Sequence, residues 1–338
     1  MKKFLSAFIC LILMTTIFAG CGSSSSGSKD SSGSDGKKLS IVTTIFPEYD
    51  WVKNILGEKD VNVDLTMLID NGVDLHSYQP STDDIVKISK CDIFIYVGGE
   101  SDKWVDDALK QAKNKDMTVI DLLDVLGDRV KNEEHKEGMQ EHEHEDEESE
   151  HDHEHEEEEE EKDEHVWLSL KNAVTICNAI CDKICEKDEA NKDTYKANTK
   201  SYVQALEKLD KQYKETIDGA KTKTLVFGDR FPFRYLVDDY GLDYFAAFAG
   251  CSAESEASFD TVIFLAKKVD ELGIKSIFQI EGSKGDIAKT VKDNTKDKDQ
   301  EIYTLNSLQS ITKKDIDNDV TYLGEMEKNL NVLRDALK

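Results

Sequence analysis

Two histidines, His76 and His165, are the residues of this 338-residue sequence with the clearest capacity for chemistry. His76 lies in the polar stretch IDNGVDLHSYQPSTDD, and His165 directly precedes the apolar residues VWL. Neutral imidazole is a good ligand for zinc, copper, nickel or iron. A single loop histidine is more often merely exposed, but two isolated histidines, each at the edge of a loop, favour a metal site.

The other six of the eight histidines lie in an acidic run, residues 133–164. This run holds 20 acidic residues and two lysines, so it carries 18 of the 27 net negative charges. Alternating imidazoles and carboxylates without fixed geometry would capture metal ions weakly and at several sites. The alternative is a merely solvated, self-repelling tract, but glutamate alone would serve solubility. The residues expected to provide accessory metal capture are His142, His144, His151, His153 and His155.

Composition and missing motifs exclude several classes of protein. Nucleic-acid binding draws its affinity from lysine and arginine, so a chain with a net charge of −27 is not expected to bind nucleic acid. No GxGxxG follows a predicted strand and no GxxxxGK[ST] occurs. The sequence therefore gives no support for a dinucleotide-binding site or a phosphate-binding loop. A secreted zinc hydrolase would typically carry HExxH, which is also absent. The sequence therefore favours a binding protein over an enzyme.

The N-terminus has the charged, apolar, small-residue order of a secretory signal, which we expect to span residues 1–20. Its apolar run is about 15 residues long, whereas a membrane span needs about 20. The ending Phe18-Ala19-Gly20-Cys21 resembles a bacterial lipobox, which implies that Cys21 carries a diacylglycerol. Residues 21–38 are rich in serine and glycine, so we expect a flexible tether to the membrane.

The cysteines beyond the signal form an odd set that cannot all be paired within the chain. They are Cys91, Cys177, Cys181, Cys185 and Cys251. The three from Cys177 to Cys185 are spaced by four residues, on one stripe of a predicted helix. They could form a soft-metal site, but buried thiols acting as small hydrophobes on a core face are favoured.

Short apolar runs that alternate with helical periodicity predict two α/β lobes, each built on a parallel sheet. We expect an N-terminal lobe at 39–187, containing a disordered loop at 133–164, a rigid connecting helix at 188–219 and a C-terminal lobe at 220–338. The predicted strands are 39–45, 61–68, 92–97, 117–121, 224–227, 242–248, 276–280 and 301–305. A closing helix is predicted at 312–337. Ligands of such sheets bind at the carboxyl ends of the strands.

Two motifs resemble those of the receptor lipoproteins that capture zinc or manganese for ABC importers. NGVDLHSYQPSTDD is similar to the loop GxDPHxYxPxxxD of that family, and DEHVWLSL is similar to its second motif, HxWLSP. The resemblance implies that His76 and His165 are metal ligands in a cleft between the lobes. It also implies a membrane permease and its ATPase as partners, and a monomeric receptor that is lipid-anchored on the extracytoplasmic face of the bacterial cell membrane.

The second half of the chain departs from this family pattern. The family has a histidine, or a glutamate in manganese receptors, at the position on which Arg230 falls, and arginine stays protonated and cannot ligate a metal. Asp229, Glu281 and Gln309 are therefore the candidates for completing the metal site. The alternatives are a local ion pair between Asp229 and Arg230, and a helix-capping role for Glu281.

Together these features predict a receptor lipoprotein that captures Zn²⁺ and delivers it to an ABC permease. Zinc is favoured over Mn²⁺ because an imidazole-rich loop would do little for manganese. The alternatives are a manganese receptor of the same family, and a surface adhesin or zinc-buffering lipoprotein without a role in transport.

Overall fold

The computed structural model describes residues 38–57, 62–140, 161–252 and 256–338. The predicted signal peptide, Cys21, the tether up to residue 37 and the five accessory histidines lie outside these ranges. The described residues all belong to one compact unit. None of the helices in the described ranges combines the length and the apolarity that a membrane crossing needs.

Within the described residues the fold is built on two parallel sheets of four strands each. The strands are β1 (Leu39–Thr43), β2 (Val63–Met67), β3 (Ile93–Tyr96), β4 (Thr118–Asp121), β5 (Thr224–Phe231), β6 (Asp243–Ala249), β7 (Ser276–Ile280) and β8 (Glu301–Leu305). The first sheet has the order β2-β1-β3-β4 and the second has the equivalent order β6-β5-β7-β8. The predicted α/β class with two parallel-sheet lobes is confirmed, and all eight predicted strands are present.

Helices flank both sheets, as crossover connections between parallel strands require. They are α1 (Phe46–Leu56), α2 (Thr82–Lys90), α3 (Trp104–Lys110), α4 (Leu122–Leu126), α5 (Leu170–Lys187), α6 (Lys192–Asp218), α7 (Arg234–Tyr240), α8 (Phe259–Leu272), α9 (Asp286–Asp293), α10 (Lys313–Asp317) and α11 (Tyr322–Ala336). The prediction of one closing helix at 312–337 is wrong, because the helix is interrupted between α10 and α11. Asp319 adopts a positive φ of 62° there, and Thr321 caps the new helix by accepting a hydrogen bond from the Gly324 N–H.

The connecting helix α6 is 27 residues long and contacts both lobes. The Asn198 side chain donates to the Ile55 carbonyl of α1 in the first lobe (3.0 Å), and the Tyr213 hydroxyl donates to the Met326 carbonyl of α11 in the second (2.6 Å). The apolar stripe of this otherwise polar helix is thus shared between the two lobes, which makes it a rigid support for both.

The cysteines of α5 are buried, as the favoured interpretation expected. Cys177, Cys181 and Cys185 are 0%, 3% and 5% exposed and belong to the same core as the isoleucines beside them. They are small apolar side chains of a helix that packs against α6 and α1.

The expected disordered loop at 133–164 differs from the structure at both of its ends. Residues 133–140 and 161–164 are described, and they pair with each other and with the second lobe. The Glu133 N–H donates to the Glu161 carbonyl (2.9 Å), and the Gln140 N–H donates to the Ala247 carbonyl of β6 (3.0 Å). The part of the loop outside the described residues is limited to 141–160.

A short 3₁₀ turn, Val166–Leu168, is held from the second lobe. The Trp167 ring is fully buried and its Nε1 donates to the Ser307 carbonyl at 2.8 Å. The Tyr322 hydroxyl donates to the Trp167 carbonyl at 2.6 Å. Because this turn begins directly after His165, both hydrogen bonds fix the position of that residue.

Asp50, on α1, is a buried carboxyl that joins three helices. It is 2% exposed, and its Oδ2 accepts hydrogen bonds from the Tyr322 N–H of α11 (3.1 Å) and the Tyr202 hydroxyl of α6 (3.4 Å). Burial raises the pKa of Asp50 from 3.8 to about 6, and these hydrogen bonds only partly offset the effect. At neutral pH Asp50 is therefore ionised in an environment that favours its protonated form.

This burial predicts a pH-dependent stability that Asp50→Asn should remove. Because the folded-state pKa of Asp50 is raised, its stabilising contribution is complete below about pH 4 and is lost as the pH rises through about 6. Asn keeps an acceptor oxygen and does not ionise. Between about pH 4 and about pH 7.5 we expect the difference in free energy of unfolding to shift by about 3 kcal/mol in favour of the variant. Urea unfolding at both pH values measures this shift, and an unchanged difference would contradict it.

Candidate metal centre

The two histidines predicted from the sequence lie against each other in the structure. The Nε2 atoms of His76 and His165 are 3.2 Å apart, although the residues are 89 positions apart in the chain. His76 sits in a 3₁₀ turn, Leu75–Ser77, in the loop after β2. Its backbone N–H donates to the Asp74 side chain at 3.0 Å, which caps this turn. The two rings therefore meet beyond the carboxyl edge of the first sheet, where the sequence predicted a site.

His165 is completely buried, and its ring is oriented by Asp163. One carboxylate oxygen, Oδ1, accepts from the His165 backbone N–H (2.9 Å) and lies 3.0 Å from ring Nδ1. A carboxylate can only accept, so the ring proton lies on Nδ1 and the lone pair on Nε2. This carboxylate–imidazole arrangement is typical of histidines that ligate metals, where it fixes the tautomer and increases the basicity of the ligand.

The partners of His76 also lie at its Nδ1 and leave its Nε2 directed at the other ring. Its Nδ1 lies 2.7 Å from the Ser101 Oγ and 3.4 Å from the Glu164 Oε2. Glu164 is held in place by the Ser101 N–H, which donates to its Oε1 at 2.8 Å. Burial, together with the nearby His165 ring, lowers the pKa of His76 to about 3. The imidazole is therefore neutral at pH 7, and no proton has to leave before it can bind a cation.

A third potential ligand, Cys251, comes from the second lobe and was missed by the sequence reasoning. One nitrogen of each imidazole and the Cys251 Sγ all lie within 4.8 Å of one another, and this is the cluster of three such groups found among the described residues. Burial raises the pKa of the half-buried Cys251 thiol well above its ordinary value. Cys251 follows β6 after one intervening residue. Because ligands bind at the carboxyl ends of parallel strands, its position could have identified it in the same way as that of Glu281, which follows β7.

Gly250 allows the Cys251 segment to approach His165. A Cβ atom at this position would lie 3.0 Å from the His165 Cε1 and 2.9 Å from the Phe231 carbonyl oxygen. Both distances are shorter than ordinary contacts, so any side chain here would displace the ring or the strand. The glycine thus permits the close packing of the second lobe against the histidine.

Asp229 and Arg230 lie at the end of β5, where the strand is irregular. Arg230 forms an ion pair with Asp74 of the first lobe, which differs from the alternative of a local pair with Asp229. The Asp229 carboxylate instead accepts from two backbone groups, the Arg230 N–H (2.9 Å) and the Ile280 N–H (3.3 Å). The arginine therefore ties the second lobe to the turn that carries His76.

Glu281, at the end of β7, binds Ser307 after β8. Its two carboxylate oxygens accept from the Ser307 N–H (2.7 Å) and hydroxyl (2.5 Å). Burial raises the pKa of Glu281, and these hydrogen bonds oppose the increase. Its observed role is to join two strand ends, which differs from the helix-capping alternative. Gln309, close by in sequence, is 3% exposed, and neither polar atom of its side chain has a hydrogen-bond partner within the described residues.

A cavity of about 860 Å³ opens between the lobes beside the turn that carries His76. From the first lobe it is lined by Asp74 and Ser77, which flank the His76 turn. From the second lobe it is lined by Asp229, Arg230 and Glu281. The structure thus brings the predicted carboxylates to the cleft, although neither belongs to the cluster of His76, His165 and Cys251.

Comparison with known proteins places the chain in one family. It matches the family described as "ZnuA: Zinc-uptake complex component A periplasmic" over residues 41–336. The High-affinity zinc uptake system protein ZnuA of Bacillus subtilis (strain 168) is 32% identical over 339 residues, which cover 99% of this chain and 98% of that protein. The Zinc-binding protein AdcA of Streptococcus pyogenes serotype M18 is 31% identical over 309 residues, 88% of this chain and 56% of that protein. The chain thus spans about half of the length of the AdcA relatives.

Solved structures agree with this result. The Zn(II)-bound ZnuA-like domain of Streptococcus pneumoniae AdcA superposes with a TM-score of 0.67 at 28% identity, covering 89% of this chain and 99% of that domain. The metal-dependent lipoprotein YcdH of Bacillus subtilis superposes with a TM-score of 0.70 at 28% identity and the same coverage. The family resemblance seen in the two histidine motifs is therefore confirmed. This chain belongs to the ZnuA family of zinc-uptake components.

Proposed function

We propose that this chain is an extracytoplasmic receptor that captures Zn²⁺ between its two lobes and delivers it to the permease of an ATP-driven importer. The observation that carries the proposal is the 3.2 Å separation of the Nε2 atoms of His76 and His165. Two nitrogens bound to one tetrahedral zinc ion, each at about 2.0–2.1 Å, lie about 3.3 Å apart. The rings are thus already spaced as two ligands of the same ion. Membership of a zinc-uptake family and the Zn(II)-bound AdcA domain support the choice of metal.

The ligand types favour zinc over manganese. Imidazole suits zinc, whereas manganese prefers carboxylate, carbonyl and water oxygens. Asp229, Glu281 and Gln309 remain candidates for the rest of the coordination. The two carboxylates are supported by their position on the wall of the cavity beside His76. Either would have to exchange a present hydrogen bond for the metal.

The histidine-rich loop and the lipid anchor complete the proposal. The loop returns to the folded chain at Glu161, whose carbonyl accepts from the Glu133 N–H. It returns only a few residues before His165, so His142, His144, His151, His153 and His155 would collect zinc close to the cleft. A diacylglycerol on Cys21 would keep this receptor at the outer face of the membrane, next to its permease and ATPase. A surface adhesin or a zinc-buffering lipoprotein would share the site but would not support uptake through a permease.

Loss of either imidazole should abolish tight zinc binding. We expect His76→Ala and His165→Ala in the protein from Lys37 to Lys338 to weaken zinc affinity by at least about 100-fold, because even loss of outer-shell partners costs about 10- to 100-fold. Competition with a chromophoric chelator measures the affinity. His135→Ala is the matched control, since His135 is described but lies outside the cluster. Unchanged affinity in both site variants would reject the assignment, and urea unfolding checks that each variant is folded.

The cleft should bind zinc without help from the loop. When 141–160 are replaced by a glycine-serine segment of equal length, we expect one tight zinc equivalent to remain and the weaker equivalents to disappear. Mn²⁺ in excess should not displace the tight zinc, because imidazole ligands favour zinc. A zinc-against-manganese titration of both proteins measures this. If tight binding disappears with the loop, the chain is a zinc-buffering lipoprotein and not a transport receptor.

A further inference from the structure

We propose that the Cys251 thiolate is a second-lobe ligand of the zinc ion and binds it together with the imidazoles of His76 and His165. This inference rests on the proposed function and names the group through which the second lobe holds the metal. It makes the cleft a mixed nitrogen and sulfur site.

The positions of the three ligand atoms support a single shared ion. All three lie within 4.8 Å of one another. With a Zn–S distance of about 2.3 Å and a Zn–N distance of about 2.0–2.1 Å, tetrahedral zinc holds sulfur and nitrogen about 3.6 Å apart. The thiol therefore needs to move by about 1 Å or less relative to the imidazoles, a smaller shift than a change of rotamer produces.

The surroundings of Cys251 hold it against His165. Gly250 brings the backbone just before the thiol into contact with the imidazole ring, where any Cβ would collide. The Cys251 N–H donates to the Glu133 Oε1 at 2.9 Å. Glu133 is itself paired with Glu161, on the segment that leads into His165. One continuous set of hydrogen bonds, through the side chain and the N–H of Glu133, thus positions the thiol and the imidazole across the two lobes.

Charge also favours a thiolate at this place. Two neutral imidazoles bring no negative charge of their own to Zn²⁺, and the guanidinium of Arg230 lies on the wall of the cavity beside the His76 turn. One anionic sulfur would offset part of the charge of the ion by direct contact. The charge of Asp74 is already engaged by Arg230, so the thiol is the group in the cluster that can provide a new negative charge.

When zinc binds, it replaces the proton on the sulfur of Cys251. The S–H bond of Cys251 breaks, the S–Zn bond forms and the proton passes to the buffer, with no change in oxidation state. A site of two imidazoles and a thiolate prefers borderline and soft ions, Zn²⁺ and Cd²⁺, and discriminates against Mn²⁺. Cys251 therefore adds to the selectivity for zinc that the two imidazoles provide.

The test compares Cys251→Ser with the parent protein, Lys37 to Lys338, using Zn²⁺ for affinity and Co²⁺ for spectroscopy. We expect the parent to bind one zinc tightly and its Co²⁺ complex to show intense near-ultraviolet thiolate-to-metal charge transfer. Cys251→Ser should lose that absorption and bind zinc at least about 100-fold more weakly. The control is Cys185→Ser, a buried thiol on α5 away from the cluster, which should keep both properties.

The outcomes separate this inference from the proposed function. If the parent binds zinc tightly but its Co²⁺ complex shows no thiolate absorption, and Cys251→Ser binds as the parent does, the ligand assignment is overturned and the receptor function stands. The Co²⁺ spectrum of the parent decides this even where the variant folds poorly. If the parent does not bind zinc tightly, the receptor function fails and the ligand assignment is overturned with it.

Discussion

The approach of two buried imidazole nitrogens to 3.2 Å is the interaction on which the rest of this molecule depends. With the ring protons directed to Asp163 and to the Ser101 and Glu164 pair, two lone pairs face each other. Such an arrangement is unfavourable alone and favourable around a cation. The fold has to hold it from both sides, because neither ring could stay there on a flexible loop.

Parallel sheets provide that support, since all their carboxyl ends lie along one edge. The loop after β2 presents His76, while the segment before Trp167 presents His165. Contacts from the second lobe lock both: Ser307 and Tyr322 hold the Trp167 turn, and Arg230 holds Asp74 beside His76. The connecting helix α6 joins the lobes, because its side chains contact α1 in the first and α11 in the second. The candidate metal site is therefore held in place by the interface between the lobes.

Much of this could be predicted from the sequence, because the signals were local. Strand periodicity located β7 and β8 to the residue, and two short motifs identified His76 and His165. The interruption between α10 and α11 was missed because it depends on a positive φ at Asp319. Aspartate occurs with either sign of φ, so its presence alone does not predict the interruption. For Arg230 only an ion pair with its neighbour Asp229 was considered as an alternative, because its observed partner, Asp74, is 156 positions away in the chain.

Cys251 shows the limit of reasoning by residue type. Its position after a predicted strand was visible, but an odd cysteine was interpreted only in terms of pairing. Cys251 can lie close to the histidines because Gly250 has no side chain to collide with the His165 ring. This role of Gly250 is visible only in the three-dimensional structure. The ends of the acidic loop were likewise judged by composition, whereas Glu133 and Gln140 are held by backbone partners that composition cannot reveal.

Diffraction at the zinc absorption edge from crystals of residues 37–338 grown with one equivalent of Zn²⁺ tests the central claim most directly. A single strong anomalous peak between the lobes is predicted, about 2.0–2.1 Å from the Nε2 atoms of both His76 and His165. A cleft without zinc, or a peak bound to other residues while the two imidazoles keep their present contact, would contradict it.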